Sequence, residues 1–225
     1  MSERLRDQHA SELYRALREG HTLAPLTERW PEISIEDAYH ISRRILERRV
    51  ADGQAIVGKK IGVTSRAVQQ MLGVHQPDFG FLTRDMWFAD GADISLSANR
   101  LIQPRAEGEI AFKLKHDLLG PGVCEQDVLE ASESVTACFE IVDSRIHDWK
   151  IRIQDTVADN ASCGVFVLGS EQVDPRQLDL PNLHMRVFKN GAPISEGLGS
   201  AVQGNPLTAV AWLANTLGAF GIPFK

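Results

Sequence analysis

The stretch Ala55-Ile56-Val57-Gly58-Lys59-Lys60-Ile61-Gly62-Val63 is where the chain leaves one kind of structure for another. Its β-branched residues, interrupted by glycine, predict a strand over residues 55–63 rather than more helix. Upstream, Leu5, Leu13, Tyr14 and Leu17 recur at near-helical spacing over residues 4–19. Ile35-Glu36-Asp37-Ala38 opens a second helix, with Ala38, Ile41 and Ile45 on its apolar side. Between the two, residues 23–27 and 30–33 contain Pro25 and Pro31, which bias the preceding residue away from the helical region, so both read as extended linker. Downstream, short apolar runs at 109–114, 135–142, 165–168 and 184–188 are bounded by Gly, Pro and Asp and predict strands. Asn190-Gly191 signals a tight turn, and residues 206–220 place Val210, Leu213 and Leu217 on one helical face. The expectation is an α+β protein, with a helical N-terminal part over residues 1–54 and a β-rich domain over 55–225.

Composition narrows the function classes. With 225 residues, 43% of them hydrophobic, the chain can bury a sizeable core. Its net charge is −6, and lysines and arginines occur singly or in pairs such as Arg43-Arg44, so the basic stripe of a nucleic-acid interface is missing. No stretch approaches the roughly 20 apolar residues of a membrane span, and Met1-Ser2-Glu3-Arg4 lacks the apolar run of a signal peptide. Cys124, Cys138 and Cys163 have neither the even count of a disulfide framework nor metal-ligand spacing. A reducing cytoplasm is the expected setting, with the thiols serving as small packing groups.

Glu107-Gly108-Glu109 is the most informative local feature, because residues two apart on a strand share a face and both carboxylates then serve one point. Hard divalent cations prefer such oxygen ligands; a solvated strand face explains the same pattern. Glu140 lies within Cys138-Phe139-Glu140-Ile141-Val142, a run apolar enough for a strand covered on both faces. A carboxylate there needs a metal, a cation or a raised pKa to offset its desolvation, and a core ion pair with Arg105 or Arg145 would suffice. Lys60 points opposite to Lys59 and Ile61, beside a glycine that lets backbone and ligand approach closely, although most lysines are simply solvated. Gln76-Pro77-Asp78-Phe79-Gly80 reads as a turn, and residues 155–162, rich in Asp, Asn and Ser, read as capping and turn chemistry or as a cluster that holds a substrate carboxylate or orders a loop. The GxSxG, HExxH and GxxxxGK[ST] patterns are absent, and Gly197-Leu198-Gly199 lacks the third glycine of a dinucleotide fingerprint.

Taken in order, residues 59–65, 76–80, Pro104-Arg105-Ala106-Glu107-Gly108-Glu109 and residues 155–164 resemble the 2-keto-4-pentenoate hydratases of the fumarylacetoacetate hydrolase superfamily. The resemblance implies a fumarylacetoacetate-hydrolase-like core of mixed β-sheet behind N-terminal helices. It implies a Mg²⁺ or Mn²⁺ site with Glu107, Glu109 and Glu140 as ligands, Lys60 and Asp78 as acid/base residues, and Ser162 and Arg105 as substrate contacts. The implied reaction hydrates 2-hydroxypenta-2,4-dienoate to 4-hydroxy-2-oxopentanoate in meta-cleavage degradation of aromatic compounds. The implied assembly is a homo-oligomer that also associates with a 4-oxalocrotonate decarboxylase. Those sister decarboxylases carry an uncharged residue where this chain has Asp78, and the C–C hydrolases use a His-Glu pair for which His21 is a poor match. A decarboxylase, a C–C hydrolase and a stabilising, non-catalytic subunit are the alternatives. Relatives of this kind continue past Phe224 into further strands, so the resemblance also leads one to expect a core lacking its last strands.

Overall fold

The first helix, α1 (Glu3–Glu19), starts where the Ser2 hydroxyl accepts the Leu5 N–H and stops at Gly20, whose φ of 70° only glycine adopts cheaply. Helix α3 (Ile35–Ala51) opens with a capping box, in which Ser34 Oγ accepts the Asp37 N–H while the Asp37 carboxylate accepts from Ser34. Between them the linker expected at residues 23–27 is extended only through Pro25, with Leu23 bridging to Ile146, and the chain then forms a single turn, α2 (Leu26–Arg29). Pro25 precedes that turn, where its missing N–H costs nothing. The structure, a computed structural model, describes residues 1–224.

The remaining elements in chain order are β1 (Ile56–Gly62), α4 (Arg66–Leu72), β2 (Asp78–Thr83), β3 (Trp87–Ala89), β4 (Arg105–Leu114), α5 (Glu125–Ala131), β5 (Ser132–Val142), α6 (Ile153–Ala158), β6 (Cys163–Leu168), β7 (His184–Lys189), β8 (Ala192–Leu198) and α7 (Pro206–Ala219). The fold is therefore α+β, as expected. Strands β3, β6, β5 and β4 form a four-stranded sheet in that order, and β1–β2 and β7–β8 are two-stranded. Among the described residues no helix is long and apolar enough to cross a membrane.

Two compact units emerge. The first comprises Met1–Gly62, Asp78–Glu107 and Phe139–Val167. Its core holds Leu13, Leu26, Ile41, Ile146 and Val157, each less than 2% exposed and each worth about 1.5–3 kcal/mol of burial. Strand β2 belongs here and corrects the expectation of a turn at residues 76–80. Phe79 and Phe81 alternate with Asp78 and Gly80, so one face is apolar and the other is free for chemistry. Phe79 stacks on Tyr39 of α3 at 4.4 Å, which fixes the strand's buried side.

The second unit comprises Val63–Pro77, Gly108–Cys138 and Leu168–Lys225. In it β7 and β8 pair as an antiparallel hairpin through Asn190 and Gly191, whose φ values of 52° and 80° suit the tight turn read from the sequence. Helix α7 lies against the chain before α5. A Cβ on Gly218 would fall 2.7 Å from Gly120 backbone, and the Asn215 amide brackets Val123 N–H and C=O at 2.9 Å each.

Candidate active site

Strands β1 and β2 run antiparallel with Lys60 opposite Gly80 and Gly62 opposite Asp78. Residues directly opposite share a face, so Lys60 and Asp78 project together while Ile61 and Phe79 project to the other side. Each acidic or basic residue thus faces a glycine, and both glycines have a steric reason. A Cβ on Gly62 would lie 2.3 Å from Asp78 Oδ1 and 3.1 Å from Lys60 Nζ; one on Gly80 would lie 2.5 Å from the carbonyl oxygen of Asn160. The missing side chains make the space that the two functional groups and an incoming loop occupy.

Lys60 is thoroughly engaged. Its Nζ donates to the Ala161 carbonyl at 3.0 Å and stands 3.2 Å from Glu140 Oε2. Burial would push this ammonium down, but Glu140 and then Asp78 outweigh it and hold the pKa above the usual lysine range. Asp78 and Glu140 are both pushed up by burial, against the pull of Lys60. Asp78 Oδ1 and Glu140 Oε1 are buried with no hydrogen-bond partner. The buried Cys163 thiol is also pushed up, by burial and by the Glu140 charge. Glu140 is therefore paired with Lys60, not with Arg105 or Arg145.

Arg145 has a different partner. Its Nε donates to Asp159 Oδ1 at 2.6 Å and its backbone N–H to Oδ2 at 2.8 Å, with both side chains 3% exposed. Residues 155–162, expected as capping or turn, are the end of α6 and a tight 3-10 turn. In that turn Asn160, Ala161 and Ser162 have φ of 55°, 52° and 51°, a left-handed run of residues that are not glycine. Such conformations cost on the order of 1 kcal/mol or more each and persist only when the surroundings over-determine them.

Of the expected site residues, Lys60, Asp78, Glu107 and Glu140 lie within one electrostatic neighbourhood, since Glu107 raises both buried carboxyls. Ser162 is buried and its hydroxyl pairs with Thr156 Oγ1 at 2.9 Å. Arg105 is exposed at the start of β4, with its guanidinium 4.4 Å above the Trp149 ring. Glu109, two residues beyond Glu107 on the same strand, falls in the second unit and is half-buried. Among the described residues, no three His, Cys, Asp or Glu side chains stand close enough to hold an ion as they are. The donor chemistry still suits a hard divalent cation: Asp78, Glu107 and Glu140 outnumber the single Lys60 charge, and the orphaned Glu140 Oε1 lacks a counter-group. The sequence offers Asn160 within residues 155–162 and Arg145 as a partner for Glu140, but not their actual partners, Phe81 and Asp159, which depend on contacts across 79 and 14 residues of chain.

The chain is 68% identical over 213 residues to the 2-hydroxyhexa-2,4-dienoate hydratase of Comamonas testosteroni, covering 95% of this chain and 81% of that protein. It is 61% identical over 222 residues to the 2-hydroxypent-2,4-dienoate hydratase of Pseudomonas putida, covering 99% of this chain and 100% of that protein. Among solved structures, the 4-oxalocrotonate decarboxylase of Pseudomonas putida G7, complexed with magnesium and adipate, superposes with a TM-score of 0.96 at 35% identity, covering 100% of this chain and 85% of that one. The chain matches no protein-family model.

Proposed function

The chain belongs to the 2-keto-4-pentenoate hydratase family, and from that premise we propose that Lys60 and Asp78 are the acid/base pair with which it hydrates a 2-hydroxy-2,4-dienoate. The enzyme is a hydro-lyase of meta-cleavage degradation, and the substrate of this reading is 2-hydroxypenta-2,4-dienoate. The observation that carries the assignment is the placement of Lys60 Nζ, 3.0 Å from the Ala161 carbonyl and 3.2 Å from Glu140 Oε2, on the strand face it shares with Asp78.

That placement allots the roles. Asp78 Oδ1, buried with open lone pairs, takes the enol proton while the Lys60 ammonium gives a proton to C5, which leaves the conjugated 2-oxopent-3-enoate. Asp78 then returns its proton to Lys60. In the second half the Asp78 carboxylate takes a proton from water as the oxygen attacks C4, and Lys60 protonates C3. Asp78 again returns its proton to Lys60, and the sum is one water added, giving 4-hydroxy-2-oxopentanoate. Arg105, its guanidinium over the Trp149 ring, would donate N–H groups to the substrate carboxylate, and Ser162 would line the pocket.

Glu107, Glu109 and Glu140 would hold a divalent cation, Mg²⁺ or Mn²⁺, which supplies positive charge where the 2-oxygen becomes anionic. The magnesium in the related decarboxylase structure supports that choice. Decarboxylation needs no base to activate water, so the ionisable Asp78 favours hydration. Homo-oligomerisation and association with a 4-oxalocrotonate decarboxylase complete the reading; light scattering of the protein alone and of the mixture tests both.

The deciding experiment for the activity identifies products by NMR after freshly generated 2-hydroxypenta-2,4-dienoate, its six-carbon homologue or 4-oxalocrotonate is added to metal-free protein, with and without Mg²⁺ or Mn²⁺. Metal-dependent 4-hydroxy-2-oxo acid from a dienoate is expected. Carbon dioxide from 4-oxalocrotonate with no hydration of either dienoate would replace this reading with the decarboxylase.

A further inference from the structure

The left-handed run at Asn160, Ala161 and Ser162 has a purpose beyond the pocket wall, because it presents the Ala161 carbonyl to Lys60 Nζ at 3.0 Å. Left to itself, a run of non-glycine residues at positive φ would relax and carry that carbonyl away. Two side chains oppose this. The Asn160 amide behaves like a piece of strand, accepting the Phe81 N–H at 2.8 Å and donating to the Phe81 carbonyl at 2.9 Å. Arg145 spans the turn, donating from Nη2 to the Asp159 carbonyl at 2.8 Å and from Nη1 to the Cys163 carbonyl at 3.1 Å. Gly80 supplies the clearance, since a Cβ there would strike the Asn160 carbonyl.

We infer that Asn160, with Arg145 bracing the ends of the turn, is a positioning residue for Lys60: it ties the strained turn to β2 so that the Ala161 carbonyl fixes the direction of the Lys60 ammonium. Neither residue touches the substrate in this account. The inference rests on the reading of Lys60 as the acid, and it goes further by naming what aims that acid. An ammonium on a flexible four-carbon stem has many rotamers, and a fixed carbonyl acceptor selects among them. Misplacing a catalytic group by about 1 Å costs about 10²-fold in rate, so aim is worth protecting with backbone strain.

The test uses Asn160→Gly, which keeps access to positive φ and removes the amide clamp, in the full chain loaded with Mg²⁺. Steady-state hydration of 2-hydroxypenta-2,4-dienoate is measured for the parent, Asn160→Gly, Lys60→Met and the double variant. A loss of kcat of about 10-fold or more with KM held within about two-fold is expected for Asn160→Gly, and no further loss when it is added to Lys60→Met, because groups acting as one unit are not additive. If Asn160→Gly does not fold, Asn160→Asp, which keeps the acceptor for the Phe81 N–H and loses the donor, enters the same cycle. Parent-like kcat in the folded Asn160 variant, or a loss that multiplies onto that of Lys60→Met, overturns the inference. Parent-like kcat in Lys60→Met instead overturns the assignment of Lys60, and the inference with it.

Discussion

At the scale of the residue, function here depends on what is left out as much as on what is present. Gly62 has ordinary extended backbone, so Gly62→Ala introduces no φ strain; its methyl group would instead arrive 2.3 Å from Asp78 Oδ1. We expect a folded protein whose kcat drops by about 10²-fold, read by steady-state kinetics beside far-UV circular dichroism. Parent-like turnover would mean that Asp78 tolerates displacement and is no base. Lys60→Met takes away the partner of a buried carboxylate, which costs about 3–5 kcal/mol when uncompensated, so metal-free protein should melt lower and Mg²⁺ should restore part of the loss. A melting temperature indifferent to both changes would sink the pairing. These residues were partly legible beforehand. Glu140 stands out because a carboxylate in an apolar strand demands an explanation, whereas Lys60 and Asp78 gain their roles only from the family resemblance, and the specific pairing of Lys60 with Glu140 joins positions 80 residues apart in number and is fixed only by tertiary structure.

At the scale of the element, alternation decides what each segment offers. Strand β2 was hidden from a reading of Gln76-Pro77-Asp78-Phe79-Gly80 because proline, aspartate and glycine are the usual vocabulary of turns. The phenylalanines at every second position override that vocabulary, because Phe79 stacks on Tyr39 of α3 and Phe81 meets Phe79 edge-on, and the contact with α3 carries no local signal. Helix α3, by contrast, announces itself, since Ser34 and Asp37 spell out its capping box. Its first turn gives a pH prediction. Burial pushes the Asp37 carboxyl up, but the donors of Arg6 and Ser34 outweigh it and hold the group down at about 2, against 3.8 unperturbed. A depressed carboxylate contributes stability that is full above 3.8 and lost as the pH falls toward 2. Asp37→Asn should therefore flatten the acid limb of a melting-temperature series between those values while lowering the plateau at neutral pH. A parent-like acid limb would show that Asp37 is not what the acid attacks.

At the scale of the whole molecule, the α+β class and most strands follow from hydrophobic spacing, while the site depends on a buried arrangement that opposes stability. Asp78 and Glu140 sit uncomfortably, both pushed up by burial and each with an oxygen lacking a partner. Such groups are retained at functional sites although the fold would be firmer without them. Asp78→Asn replaces a desolvated carboxyl by a neutral group of the same shape. A raised folded pKa means the ionised form weakens the native state as pH rises, so the variant should be at least as stable as the parent at neutral pH. The most direct measurement is the kcat of metal-loaded Asp78→Asn for 2-hydroxypenta-2,4-dienoate, taken with its melting temperature. A loss of about 10²–10⁴-fold is expected in a protein that melts no lower than the parent. A folded, metal-loaded Asp78→Asn that hydrates the dienoate at the parent rate would contradict it.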